Sequence, residues 1–346
     1  MIITDVRRCF IINKNVFEIL MGIETHLYIF SNYKLFSGLI KSVHQLDEGL
    51  PGSLPIINTK NLKHLTSLIK LLNVNHNPWI SFTRKNYFYS DLPLGYQITQ
   101  HFYPLMFNGL VSIFLLKINK KYKKYDIFLQ KICLEHDAAK ITRNKKYINY
   151  LRAGTSLIEI VTEPCFNSIL NIKSFFYRII LIFVITGISS CIMADANIRY
   201  DFNISFTRPF HFSKGKSEIK NLNCLSIIDK VIINESNVVS TYNENLNVTK
   251  SVNQKSDVLF TRAKKSEINY KQNIETDLLP IKLWIPCFNI KFYKNNLIWI
   301  VFIGFKSFYE FSSFEANKNL ILLSKTGFTL LHICFKYYMF YYLEFN

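Results

Sequence analysis

The stretch FEILMGIETHLYIF, Phe17 to Phe30, decides how the chain is read. Ile19, Met21, Ile23, Leu27 and Ile29 occupy alternate positions, which predicts a strand with one face turned to a core. Its other face carries Glu24 and His26. Residues two apart on a strand lie roughly 7 Å from Cα to Cα on the same side. A carboxylate and an imidazole at that spacing suit a divalent cation, and they equally suit a solvated strand face. The opening sixteen residues carry no pattern.

Working outward, a second strand is written even more plainly. Tyr200, Phe202, Ile204 and Phe206 alternate with Arg199, Asp201, Asn203 and Ser205. Further strands are predicted over Leu110 to Asn119 and over Ser156 to Thr162, the latter stopped by Pro164. The lysine-rich Lys117 to Lys124 reads as a solvated hairpin tip. Helical spacing marks Asn61 to Leu72, Asn171 to Thr186 and Asn223 to Glu235, whereas LPGSLP (Leu50 to Pro55) is turn chemistry. Trp79 to Gln100 reads as a polar, aromatic loop. Strands separated by long loops, with few crossover helices, predict an α+β fold on a mixed, mainly antiparallel sheet. Beyond Pro286 the pattern is irregular and apolar. The expected organisation is therefore an extension over 1–16, a main domain over 17–285 and a reduced helical segment over 286–346.

Bulk properties exclude several classes. The 346 residues include 30 Phe and 20 Tyr, with a formal charge of +18. That charge favours a polyanionic partner, although the Lys, Asn and Ile enrichment of an AT-rich coding bias accounts for part of it. The cysteines, Cys9, Cys133, Cys165, Cys191, Cys224, Cys287 and Cys334, include no closely spaced pair, so neither a disulfide framework nor a zinc knuckle is expected. The N-terminus lacks the apolar stretch of a signal peptide. Ile179 to Ile188 and Leu297 to Phe305 are apolar for about ten residues each, where a span needs roughly twenty, so a cytoplasmic protein without a membrane segment is expected. The chain has no GxxxxGK[ST] loop and no kinase glycine loop. It also has no known RNA-binding module.

Other charged clusters invite chemistry. Glu135 and Asp137 share a side if the backbone around His136 is extended, and a surface turn is the alternative reading. Glu159 and Glu163 sit in the apolar LIEIVTEP, where an ionised carboxylate is costly without a partner. On a straight strand they stand about 13 Å apart, too far to share one ion, which leaves Glu159 as the preferred ligand. Arg84, Lys85, Arg152, Arg199, Arg208 and Lys220 supply positive charge. Acids holding a metal and basic groups holding phosphates is the arrangement that phosphoryl transfer needs.

Several blocks together resemble the GatB family of amidotransferase subunits. They are GIETHLYIFSNYKLFSG (Gly22 to Gly38), LPGSLPIIN (Leu50 to Asn58), FTRKNYFYSDLPLGYQITQ (Phe82 to Gln100) and LEHDAAK (Leu134 to Lys140). RAGTSLIEIVTEP (Arg152 to Pro164), RYDFNIS (Arg199 to Ser205), EIKNLN (Glu218 to Asn223) and TRAKKSEINYKQNIETDLLP (Thr261 to Pro280) follow in the family's order. The resemblance implies a cradle-shaped catalytic domain that uses ATP and Mg2+. Its implied partners are an amidase subunit, a small third subunit completing a heterotrimer, and mischarged tRNA.

The implied activity is a ligase reaction. ATP phosphorylates the side-chain carboxylate of Glu-tRNA(Gln) or Asp-tRNA(Asn), and ammonia released by the amidase displaces the phosphate. Matched residue by residue, Glu24, His26, Glu135 and Glu159 correspond to the family's acidic metal site. Arg84, Lys85, Arg152, Arg199, Asp201, Asn203 and Lys220 are the corresponding nucleotide-binding expectations, with Lys85 near the mouth of the ammonia tunnel. The chain departs from the pattern at His136, where the family has Glu, at Leu94, where it has Lys, and at Ala194, where it has Glu and Asp195 follows. It also lacks the family's four-cysteine insertion, and little after Pro280 matches the family's helical and tail domains. The alternative expectation is a non-catalytic scaffold that holds tRNA within the same complex.

Overall fold

Strand β1 (Cys9–Ile12) pairs antiparallel with the start of β2 (Asn15–Tyr28), so the patternless N-terminus contributes an edge to the sheet. The structure, a computed structural model, describes residues 9–12, 15–72, 74–116, 122–142, 147–166, 168–193, 195–207, 216–222, 227–241, 248–252, 258–263 and 272–283. The expected helical segment 286–346, Arg208 and Ala194 lie outside the described residues, as does most of the lysine-rich tip.

Along β2 the alternation does what the sequence predicts. Met21, Ile23, Leu27 and Ile29 are buried on one side, with Thr25 among them. Glu24 and His26 face the other way.

Helix α1 (Thr59–Leu71) is capped by the Asn58 side chain, which accepts from the Lys60 amide, and buries Leu62, Leu65 and Leu68 at helical spacing. Short strands follow: β3 (Asn75–His76), β4 (Trp79–Ile80), β5 (Thr83–Asn86) and β6 (Tyr96–Thr99). The expected loop over Trp79 to Gln100 is thus partly sheet, because β5 and β6 pair with each other and β5 also pairs with β16 (Gln272–Ile274). Only a strand from far along the chain completes that small sheet, which no local pattern announces. Two further pairs, β9 (Lys140–Ile141) with β10 (Ile148–Asn149) and β4 with β17 (Ile281–Lys282), are shorter still.

The long strands β7 (Met106–Leu116) and β8 (Tyr122–His136) form an antiparallel pair in which Leu116 faces Tyr122. Next come β11 (Ser156–Thr162), α2 (Ile169–Ile185), β12 (Ile198–Thr207) and β13 (Lys216–Leu222). Then α3 (Ile228–Thr241), β14 (Val248–Val252) and β15 (Val258–Ala263) follow. The main sheet runs β15-β14-β13-β12-β2-β11-β8-β7-β3, with β1 on β2. Among these strands β13 and β14 are the parallel pair, joined through α3, and the other pairings are antiparallel. The α+β class with a mixed, mainly antiparallel sheet is what the structure has.

Helix α2 starts at Ser168, whose hydroxyl accepts from the Asn171 amide at 3.2 Å, and its buried stripe Ile172, Phe175, Phe176, Ile179 and Phe183 covers the apolar face. Phe176 stacks on Tyr200 with ring centroids 3.8 Å apart and lies 5.9 Å from Phe202, so the greasy side of β12 is the floor under α2. Each such side chain contributes about 1.5–3 kcal/mol relative to exposure. Lys173 pairs with Asp229 to link α2 to α3, and Lys250 reaches Glu235 at 2.8 Å from β14. One face of the sheet is thereby filled by helices. The other face carries Glu24, His26 and Glu159.

Candidate carboxylate and imidazole site

Strand register sets this site. Across β12, β2, β11 and β8, Arg199 stands opposite His26, His26 opposite Glu159, and Glu159 opposite Cys133. One row along, Asp201, Glu24, Val161 and Lys131 are aligned in the same way. Side chains directly opposite on neighbouring strands share a face. Residues that are far apart in sequence therefore form one grid on the side away from the helices.

At its centre, His26 Nε2 lies 3.7 Å from Glu135 Oε2 and 3.9 Å from Glu159 Oε1. The three side chains are 19%, 4% and 13% exposed, respectively, so the carboxylates are nearly shut away from water. Glu24 lies one row along on the same face and accepts a hydrogen bond from Asn203 Nδ2 at 2.7 Å. Of the four side chains predicted to meet, His26 is thus brought between Glu135 and Glu159, while Glu24 stands in the next row of that sheet face.

Glu135 is held from above the sheet. Thr99 Oγ1 donates to its Oε1 at 2.9 Å and Gln97 Nε2 reaches its Oε2 at 3.4 Å, both from β6. Burial acts to raise the Glu135 pKa, but His26, Lys85, the Thr99 hydroxyl and Lys131 outweigh it and hold the group below the usual carboxylate range. Glu159 goes the other way, pushed up to about 7 first by burial and then by Glu135. Two carboxylates crowded in a dry place resist double ionisation, and the second one keeps a proton unless a cation arrives. Cys133 is raised well above a normal thiol by burial and by Glu159, so it stays protonated and inert.

A second charged group borders the first. Asp137 Oδ2 accepts from Arg152 Nε at 2.6 Å, and Asp137 Oδ1 lies 3.5 Å from Arg199 Nη2. The surface-turn reading of Glu135 to Asp137 is therefore corrected: all three are buried, because β8 runs on to His136 and the chain behind it is covered. His136 points to the opposite side from Glu135, near Phe36, and burial pushes its pKa down to about 4. Its presence removes no donor from the carboxylate group.

Other expected residues are placed differently. Arg84 forms a two-pronged bridge to Glu275 at 2.9 and 2.7 Å and also reaches Asp277 at 2.8 Å, so its guanidinium is occupied in tying β5 to the segment after β16. Lys220 pairs with Glu218 at 3.2 Å, one strand beyond Asn203. Asp201 shares the site face opposite Glu24. Lys85 acts electrostatically on Glu135. Glu163 and Asp195 are exposed, and Leu94 sits in the turn before Gly95.

Lys131, Gln97 and Thr99 were not legible as site residues. For the last two the signal was the alternation in Tyr96 to Thr99, which sends two polar side chains the same way.

Donor chemistry can be tested against a cation. Among the described residues, no three His, Cys, Asp or Glu side chains stand together in a ready-made metal cage. Magnesium does not require one, since it is bound through one or two carboxylates and keeps several waters. The Glu135 and Glu159 pair, with its surplus of negative charge, fits that demand.

Comparison with known proteins decides the family, because the GatB/GatE catalytic domain model matches residues 19–286. The chain belongs to the GatB/GatE catalytic domain family. It is 38% identical over 286 residues to the B subunit of the aspartyl/glutamyl-tRNA(Asn/Gln) amidotransferase of Mycoplasmopsis pulmonis, covering 78% of this chain and 59% of that protein. The corresponding protein of Malacoplasma penetrans is 34% identical over 288 residues, covering 78% and 58%. That of Mesoplasma florum is 33% identical over 345 residues, covering 90% and 68%. The chain thus spans just under three fifths of the length of the first two relatives. The GatB/GatE match includes every residue of the carboxylate and imidazole group. Among the described helices, none is long and apolar enough to cross a membrane.

Proposed function

We propose that this chain is the carboxylate-activating subunit of an aminoacyl-tRNA amidotransferase, acting on Glu-tRNA(Gln), Asp-tRNA(Asn) or both. The observation that carries the reading is the approach of Glu135 and Glu159 to His26 on the sheet face that also bears Glu24. In the reaction, a side-chain carboxylate oxygen of the tRNA-borne amino acid attacks the γ-phosphorus of ATP and ADP leaves. Ammonia then attacks the acyl carbon, phosphate departs, and the nitrogen loses a proton to give the amide. A poor leaving oxygen has become a good one.

This chain's residues have defined tasks in that scheme. Glu135 and Glu159, with Glu24 and His26 beside them, would hold Mg2+, which when bound neutralises charge on phosphate oxygens. Thr99 and Gln97 fix Glu135, and Asn203 fixes Glu24, so that these carboxylates do not swing toward water. Arg199 and Arg152, steered by Asp137, offer donors at the rim for anionic oxygens. Ammonia is expected from an amidase subunit, with a small third subunit completing a heterotrimer in the cytoplasm.

The test is Glu159→Gln in the complex reconstituted with the amidase and small subunits. ATP-dependent amidation of mischarged tRNA should be lost while tRNA binding persists. Full activity in that variant, or equal activity with and without magnesium, would overturn the assignment. A complex that binds mischarged tRNA yet never consumes ATP would make the chain a scaffold instead.

A further inference from the structure

Strand β8 places Lys131 in the same grid as the acids. Val161 pairs with Lys131 on one side and with Glu24 on the other, so these two residues flank one valine. Their Cα atoms are about 10 Å apart, two interstrand steps, which brings the two long side chains within reach of one space. Glu24, Glu135 and Glu159 all act on Lys131 electrostatically, yet among the described residues no carboxylate oxygen pairs with it directly.

Four other buried or half-buried cations are differently placed. Lys34 is occupied by Asp47, Arg84 by Glu275, Arg152 by Asp137 and Lys250 by Glu235. Lys131, unlike these four, stands beside several acids without a close ion pair among the described residues. Ion pairs as close as those four leave little attraction for a ligand. A half-buried ammonium held near carboxylates without contact retains its donors for an incoming anion.

We propose that Lys131 binds a phosphate oxygen of the nucleotide at this site and so positions the transferring end of ATP against Glu24, Glu135 and Glu159. The inference rests on the ATP reading above. Lysine suits the task as a compact point charge with three donors on a flexible stem. A phosphate lying between the ammonium and a cation on the carboxylates would have its charge met from both sides, the arrangement that phosphoryl transfer needs.

The experiment measures binding of ATP with magnesium, and separately of adenosine, by calorimetry on the full chain co-purified with its amidase and small subunits. Wild type, Lys131→Met, Lys131→Gln and Lys131→Arg are compared, with thermal melting to verify folding. Loss of one charge-assisted hydrogen bond should weaken ATP binding about 10- to 100-fold in the Met and Gln variants, with the Arg variant closest to wild type. Adenosine, which has no phosphate, should bind all four alike, and KM for ATP should rise more than kcat falls. ATP binding within about twofold of wild type in both neutral variants (RT ln 2 is about 0.4 kcal/mol) would refute the role of Lys131 alone. Equal losses for adenosine and ATP would refute it too, by showing that Lys131 merely supports the pocket. Wild type that fails to bind ATP overturns the functional reading itself.

Discussion

Replacing Gly154 by Ala should destabilise the protein far more than one methyl group suggests. Gly154 sits at φ +76°, in the RAGT turn that returns the chain to β11. Its carbonyl accepts from the Leu35 amide at 2.8 Å and its amide donates to the Asp137 carbonyl at 3.0 Å, so the turn is fixed from both sides. A Cβ there would overlap Asp47 Oδ1 and come within 3.3 Å of the Lys34 side chain. Those two residues form a fully buried ion pair.

Left-handed backbone costs about 1–2 kcal/mol for a residue with a Cβ. Disrupting a buried pair so that its charges are no longer met costs about 3–5 kcal/mol. A loss of about 4 kcal/mol or more is expected, a large part of the roughly 5–15 kcal/mol that holds a domain together. Urea unfolding of the full chain measures it. The matched control is Gly187→Ala, because Gly187 has φ +68° and nothing within 4 Å of its virtual Cβ. That variant isolates backbone strain and should lose only about 1–2 kcal/mol. If Gly154→Ala loses no more than Gly187→Ala, the reasoning from the buried pair is wrong.

Arg84→Gln leaves the buried Glu275 carboxylate without its cation, keeping the Asp277 amide as a donor, and should cost about 3–5 kcal/mol, whereas Asp277→Asn, at a partner 38% exposed, should cost no more than about 1 kcal/mol; equal losses in unfolding experiments would refute the asymmetry. Phe176→Ala removes the ring between Tyr200 and Phe202 and should lower stability by about 3–5 kcal/mol, while a loss below about 1 kcal/mol would show that α2 is not anchored there. Glu159 has a folded pKa of about 7, above its ordinary 4.5, so the native state holds the extra proton. Its contribution to stability is present below about pH 4.5 and lost as pH rises through about 7, and the pH-stability slope in that window should flatten in Glu159→Gln. An unchanged slope would refute the shift.

Alternation is what made the fold readable. Once β2 and β12 were recognised from Met21, Ile23, Leu27 and from Tyr200, Phe202, Ile204, their buried and polar faces followed, since side chains on a strand alternate with period two. The pairing of Glu24 with His26 was legible for the same reason. The strands β5 and β6 were not, because β16, which pairs with β5 and completes their sheet, lies nearly two hundred residues away and their own residues are largely polar. Arg84 carried the same ambiguity: a cation beside a motif reads as a ligand for phosphate, and only the folded chain brings Glu275 to it.

The sequence by itself determined the α+β class, the two faces of the central strands and the family, because these depend on local periodicity and on ordered motifs. Tertiary structure alone decided the neighbours: that His26 lies between Glu135 and Glu159, that His136 turns away from them, and that Lys131 joins their grid. Register between strands is a cooperative property of the whole sheet, fixed by core packing across β12, β2, β11 and β8. No single segment contains it.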